Sequence, residues 1–263
     1  MFTHNLDPIL IDFGFIAIRW YSLAYIFGII LGWWYGKKII IKYFNSETVE
    51  INLKNFDDLI TNLIFSIIIG GRLGYVIFYN PKYYISNPLD IIKIWEGGMS
   101  FHGALIGVII GTYFFSKKRN IQPFFLLDIV ACVAPIGIFF GRVANFINGE
   151  LVGKTSNIFW GVIFPNYDSL ARHPSQLYEA ALEGLVLFFI MNSIIKRINY
   201  QFGTCSYLFL IYYGFFRILS EFFREPDEQL GLFFNLISMG TLLSVCMIIS
   251  GFVLFKILRK NEN

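Results

Sequence analysis

Charge is scarce in this chain. Asp, Glu, Lys and Arg supply 15% of its 263 residues, against about 25% in a soluble globular domain. Set beside a hydrophobic share of 56%, that scarcity excludes an ordinary soluble domain. Cysteine is sparse too. Cys132, Cys205 and Cys246 lie far apart in apolar segments, with no CxxC and no metal-ligand spacing. No disulfide framework or metal centre is expected, and the three read as small core residues. No basic run with interleaved aromatics occurs, so the net charge of +3 supports no nucleic-acid partner. There is no Asp-rich cluster of the kind that holds Mg²⁺; Asp227 and Glu228 stand isolated. No Ser-His-Asp or Cys-His nucleophile, internal repeat or low-complexity tract is visible. The opening MFTHNLDPILIDFG lacks a basic stretch and a small-residue cleavage site, so no cleavable signal is expected.

What the chain does have is apolar length. Stretches near twenty residues recur, the length needed to cross ~30 Å of hydrocarbon. They predict an all-α polytopic membrane protein with about seven transmembrane helices, at roughly 15–36, 59–79, 98–116, 124–143, 176–195, 204–223 and 232–256. The chain reads as one integral-membrane domain over 1–263, with a longer outer segment at about 144–175. Basic clusters close every odd span: Lys37, Lys38 and Lys42; Lys117, Lys118 and Arg119; Lys196 and Arg197; Lys256, Arg259 and Lys260. The positive-inside rule then places the N-terminus outside and the C-terminus in the cytoplasm. Lysines follow this pattern, and six arginines break it: Arg19, Arg72, Arg142, Arg172, Arg217 and Arg224 fall on the outer side. Arg grips phosphate with a planar fork of donors and stays charged. An anionic ligand at the outer leaflet follows, with snorkelling toward headgroups as the alternative.

Four constellations carry chemistry. GRVANFINGELVG, Gly141 to Gly153, places Arg142, Asn145, Asn148 and Glu150 where a helix should be leaving the hydrocarbon. WEGGMSFHG, Trp95 to Gly103, surrounds His102 with glycines. His suits proton transfer near neutral pH, although a lone His in an apolar helix can also be a satisfied core group. In YYGFFRILSEFFREPD, Tyr213, Arg217, Glu221 and Arg224 are spaced to share one helix face. An internal Arg217–Glu221 ion pair is the structural alternative there. Arg217 is expected deep in the membrane, and Arg224 and Arg19 nearer the surface. RHPSQLYE, Arg172 to Glu179, looks like a capped start of the fifth span. Two weaker segments are RWYSLAY, where Tyr21 can be an interface aromatic, and GGRLGYVIFYNP, whose glycines allow close helix approach.

These motifs, in this order, resemble the prolipoprotein diacylglyceryl transferases over almost the whole chain. One departure is Ala104, where the family often has a second glycine after His-Gly. The resemblance implies a bacterial inner-membrane enzyme with its site facing outward. It would move the diacylglyceryl group of phosphatidylglycerol onto the thiol of a lipobox cysteine in a prolipoprotein signal peptide, and glycerol phosphate would leave. No cofactor and no metal are implied. His102, Arg142 and Arg217 would be catalytic. Arg142, Asn145, Asn148, Glu150, Gly153, Tyr21, Tyr213, Glu221 and Arg224 would bind substrate. The nucleophile would belong to the substrate, in keeping with the lack of one here. A transporter for an anionic substrate is the competing class, although transporters tend to place polar groups at the midplane, often between repeats.

Overall fold

The structure, a computed structural model, describes residues 2–14, 17–44, 49–197, 200–226 and 237–260. Residues 15–16 of the expected first span, 232–236 of the seventh, and Asp227 and Glu228 lie outside the described residues.

Each expected span overlaps a helix, although residues 17–19 of the first are strand. We number them α1 (Trp20–Tyr43), α2 (Val49–Phe78), α3 (Pro81–Ser86, a short extra turn), α4 (Phe101–Arg119) and α5 (Pro123–Asn148). After these come α6 (Ser175–Ile194), α7 (Thr204–Glu221) and α8 (Met239–Lys260). Among the described residues, five are long and apolar enough to cross a membrane: α1, α2, α5, α6 and α8. Their flanks carry exposed Ile30, Phe65, Ile69, Phe189, Ile249 and Phe252. An apolar surface of that extent suits lipid rather than water.

Helix ends differ from the apolar limits because hydropathy marks hydrocarbon, not helix. α2 begins at Val49, ahead of the expected 59, since the intervening residues are helical but polar. Among the described residues there are also five short strands, which apolar periodicity does not register: β1 (Phe2–Thr3), β2 (Ile9–Asp12), β3 (Ala17–Arg19), β4 (Val162–Ile163) and β5 (Ala171–Arg172). β1 pairs in parallel with β4 and β4 antiparallel with β5, while β2 and β3 form a hairpin.

The chain forms two compact units. The unit of residues 37–129 is built on α2 packed antiparallel to α4. A Cβ on Gly74 would lie 2.5 Å from the Cα of Gly103, and one on Gly70 would lie 2.8 Å from the Cα of Gly107. These glycines let the two backbones touch. The contact uses Gly103 and Gly107, so Ala104 costs it nothing. Arg119 meets Asp58 at 2.6 Å at the other end of the pair.

The unit of residues 1–36 and 130–263 holds α5, α6, α7 and α8. Gly28 of α1 meets Gly137 of α5, where an added Cβ would lie 2.9 Å from the facing Cα. Gly184 of α6 meets Phe139 of α5, with an added Cβ 2.9 Å from the Phe139 Cα. α7 packs along α8: Gly214 lies against Ser244 and Ile248, and Gly251 against Tyr207 and Ile211. Residues 180–186 of α6 are wound as a π-helix, a form found often at functional sites.

Candidate active site

The site grows from two carboxylates on α6. Glu179 and Glu183 are four residues apart and fully buried. Buried carboxylates need partners, and three arginines from other segments supply them. Arg142, six residues before the end of α5, reaches Glu179 at 2.8 Å and Glu183 at 3.0 Å. Arg217 of α7 reaches Glu179 at 3.0 Å, Glu183 at 3.6 Å and Glu221 at 2.7 Å. Arg224, just past the end of α7, reaches Glu179 at 3.3 Å. Three positive and three negative charges balance, so the cluster is an electroneutral network inside the fold. Glu221 is committed twice, since Ser238 also donates to it at 2.7 Å. Tyr213, fully buried, lies within electrostatic reach of Glu183, Arg142, Arg217 and Glu179.

Beyond Arg142, α5 ends in a polar turn. Asn145 donates to the Glu150 carboxylate at 2.6 Å, and Asn148 donates to the same oxygen at 3.5 Å. Gly149 and Leu151 both adopt positive φ, +67° and +56°, which reverses the chain. Gln176 donates to the Glu150 carbonyl at 2.6 Å, and Ser175 to the Leu151 carbonyl at 3.2 Å. The expected polar cap of the fifth span is therefore a pair of clips onto this turn. Pro174 precedes the helix without a side-chain cap. Tyr21 and Tyr25 stack edge to face at 5.1 Å, and Tyr25 lies within electrostatic reach of Glu150 and Arg142.

The segment from Gly149 to Pro174, which carries β4 and β5, folds as a cover with a small core of its own. Val152, Val162 and Phe164 form a small core with Phe146. His4 joins it through β1 and through 2.7 Å to the Phe146 carbonyl. Gly153 lies between two backbones: an added Cβ would come within 2.8 Å of the Phe223 oxygen. Arg172 holds Asp168, Glu225 and the Gly153 carbonyl together and stacks on Tyr167. Its hydrogen bonds to Asp168 hold that carboxyl below the ordinary range and raise the guanidinium above its own. Burial lowers the neighbouring His173 imidazole, whose Nδ1 meets the Tyr178 hydroxyl at 3.2 Å.

The structure revises the reading of the outer arginines. Arg172 is a clamp for the cover. Arg72, in the unit of residues 37–129, is a clamp as well: it donates to the carbonyls of Asp90, Ile91 and Gly97 and stacks on Tyr84. Arg224 was expected nearer the surface than Arg217. Both are 6% exposed, because residues 222–226 fold back and pair with the cover at Gly153. The cluster thus joins Arg142, Arg217, Arg224, Tyr213 and Glu221. Asn145 and Asn148 lie one to two turns along α5 and Glu150 just past its end, and Arg19 on β3 takes no part in these ion pairs. His102 belongs to the unit of residues 37–129. It is 8% exposed in the first turn of α4, behind Ser100, whose hydroxyl accepts from the Gly103 N–H.

Sequence reasoning gave no role to Glu179 or Glu183. Their signal was present: two carboxylates four residues apart in an otherwise apolar span share a helix face and mark a functional position by default.

The family model described as prolipoprotein diacylglyceryl transferase matches residues 8–257. A relative from Rickettsia felis, named phosphatidylglycerol–prolipoprotein diacylglyceryl transferase, is 51% identical over 94% of this chain and 95% of its own length. Relatives of the same name from Rickettsia bellii and Rickettsia conorii are 51% and 50% identical, over 95% and 94% of this chain and 94% and 95% of their own lengths. With likeness of this extent laid over a buried arginine cluster, the chain belongs to the prolipoprotein diacylglyceryl transferase family.

Proposed function

We propose that this chain transfers the diacylglyceryl group of phosphatidylglycerol to the thiol of the lipobox cysteine in a prolipoprotein signal peptide. The observation that carries this reading is the convergence of Arg142, Arg217 and Arg224 on two buried carboxylates in a member of this family. The thiolate sulfur attacks the glyceryl carbon that bears the phosphate oxygen. A C–S bond forms, the C–O bond breaks, and its electron pair leaves with glycerol phosphate. His102 accepts the thiol proton, a step imidazole can carry out near neutral pH.

The arginines stabilise the charge that develops on the phosphate, an effect worth a few kcal/mol per well-placed donor. Arg142 is the most exposed of the three, with 15% of its side chain open against 8% for Arg217 and 6% for Arg224. It meets the phosphate first, and Arg217 supports it from deeper in the cluster. Glu179, Glu183 and Glu221 hold the guanidinium planes before substrate arrives. Asn145, Asn148 and Glu150 receive the headgroup hydroxyls, with Tyr21 and Tyr213 lining the approach. Gly153 serves by letting the cover close on residues 222–226.

The reading includes seven crossings of a bacterial inner membrane, N-terminus outside, with the site toward the outer face. α4, with 19 residues, and α7, with 18, are long enough for a span but less apolar than the five long apolar helices. α4 packs along α2 from Gly103 against Gly74 to Arg119 against Asp58. Sixteen residues of helix rise about 24 Å, so α4 goes as deep as α2 does. α7 accompanies α8 from Glu221 beside Ser238 to Tyr207 beside Gly251.

The test is a product assay with phosphatidylglycerol labelled in its glycerol headgroup and a lipobox peptide. Labelled glycerol phosphate should appear in step with thioether-linked peptide. Release of labelled free glycerol, or release that ignores the peptide, would overturn the reading.

A further inference from the structure

Gln176 occupies an unusual position beside the cluster. It is fully buried. Its amide orientation is fixed, because Nε2 donates to the Glu150 carbonyl at 2.6 Å and only an NH₂ can do so. Oε1 is therefore pinned as an acceptor, and among the described residues it has no hydrogen-bond partner. A buried acceptor left unsatisfied costs free energy. Asn148, half-buried, follows the pattern more loosely. Its NH₂ meets the Glu150 carboxylate at 3.5 Å, and its Oδ1 is buried and unpartnered among the described residues. One pinned and one loosely held carbonyl oxygen thus flank Glu150, and both call for donors.

Their depth relative to the arginines is set by the two helices. Gln176 precedes Glu179 by three residues on α6, and Asn148 follows Arg142 by six on α5, which runs the opposite way. Three residues of helix rise ~4.5 Å and six rise ~9 Å. The acceptors therefore sit about one and two turns outward from the Arg142–Glu179 pair. A phosphate on Arg142 would carry hydroxyls three or four bonds beyond its ester oxygen toward them.

We propose that Gln176, with Asn148, is a specificity-determining residue that accepts hydrogen bonds from the hydroxyls of a polyol headgroup on the substrate phospholipid. This rests on the transferase reading above and deepens it: the arginines take the phosphate, and the paired amide oxygens select a headgroup that carries hydroxyl donors. A vicinal diol offers two donors to two acceptors. A headgroup without donors leaves both acceptors buried and unpaired, and a site built this way rejects such an analogue strongly.

The experiment crosses lipid with variant, using the full-length chain in mixed micelles and a lipobox peptide as acceptor. The lipids are phosphatidylglycerol and phosphatidylpropanol with the same acyl chains, the second lacking the headgroup hydroxyls. The wild-type chain should lose about ten-fold or more in kcat/KM on the deoxy lipid, and Gln176→Met should compress that ratio to below about three-fold. Asn148→Ala, at a less buried position, should compress it in the same sense and serves if the Met variant does not accumulate. A ratio unchanged in a variant that accumulates normally overturns the proposal. So does an effect confined to the KM for peptide, which would assign the acceptor to the peptide backbone instead. A wild-type chain that transfers from neither lipid overturns the transferase reading, and this inference with it.

Discussion

An arginine held by two carboxylates is a different reagent from one standing in water. Arg142 is oriented by Glu179 and Glu183, and in the proposed reaction its remaining N–H donors meet the phosphate. Lys in its place would keep the charge and lose the fork. Arg142→Lys should therefore lower kcat by about two orders of magnitude, the cost of one well-placed donor, while the protein accumulates normally. Near-normal turnover of that variant at equal abundance would remove the two-pronged role. His102 makes a separate claim. If it takes the thiol proton, His102→Gln should recover part of its deficit between about pH 7 and 9.5, where a thiol of pKa near 8.5 ionises unaided. A deficit that stays constant across that range would make His102 a positioning group. At this scale the arginines were legible in the sequence, because ionisable residues in an apolar span are conspicuous. Their occupations were not. Arg72 and Arg172 look the same as Arg142 in a string of letters, and only the fold shows that they hold loop carbonyls and a surface carboxylate.

At the level of the element, the approach of α5 and α6 sets the cluster. Gly184 allows it: a Cβ there would sit 2.7 Å from the Phe139 Cβ and 2.9 Å from its Cα. Gly141, although it opens the signature stretch, faces open space, with nothing within 4 Å of an added Cβ. The two should respond oppositely. Gly184→Ala should cost about 1–3 kcal/mol through overpacking and push Glu183 away from Arg142, with turnover falling as well. Gly141→Ala, in a helix interior, should leave stability unchanged or raise it by about 0.5–1 kcal/mol. Thermal unfolding in detergent ranks the two, and equal behaviour would mean that the α5–α6 contact is not what holds the cluster. Helix existence was readable from apolar length, including the start of α6 at Ser175. The cover was not, because β1, β4 and β5 are two residues each and draw their stability from a partner far along the chain. No local pattern encodes a contact between His4 and Ile163.

Across the whole molecule, the proposed outward placement of the site requires that α4 and α7 cross the membrane. If α4 lay on the surface, α5 would run the other way, and the polar turn at Asn148–Glu150 would face the cytoplasm, where no translocated signal peptide waits. Three observations favour crossing. α4 ends in Lys117, Lys118 and Arg119, the charge that holds a helix end on the cytoplasmic side. Its glycine contacts with α2 continue to the Arg119–Asp58 pair, so the two helices run side by side over that length. α7 keeps the same company with α8 through Gly214 and Gly251. The mean hydropathy of both helices is lowered by buried polar residues, His102, Thr112 and Ser116 in α4 and Arg217 and Ser220 in α7. Single cysteines at Asn120, Ser156, Gln201 and Asn263, in a chain otherwise free of cysteine, provide the measurement. A membrane-impermeant thiol reagent applied to intact spheroplasts should label Ser156→Cys alone. Asn120→Cys, Gln201→Cys and Asn263→Cys should label only after the membrane is opened. Labelling of Asn120→Cys from outside would place α4 on the surface and reverse the site. Labelling of Gln201→Cys from outside would make the direction of α6 the error instead, and α7 would then have to enter from the wrong face with Arg217 leading.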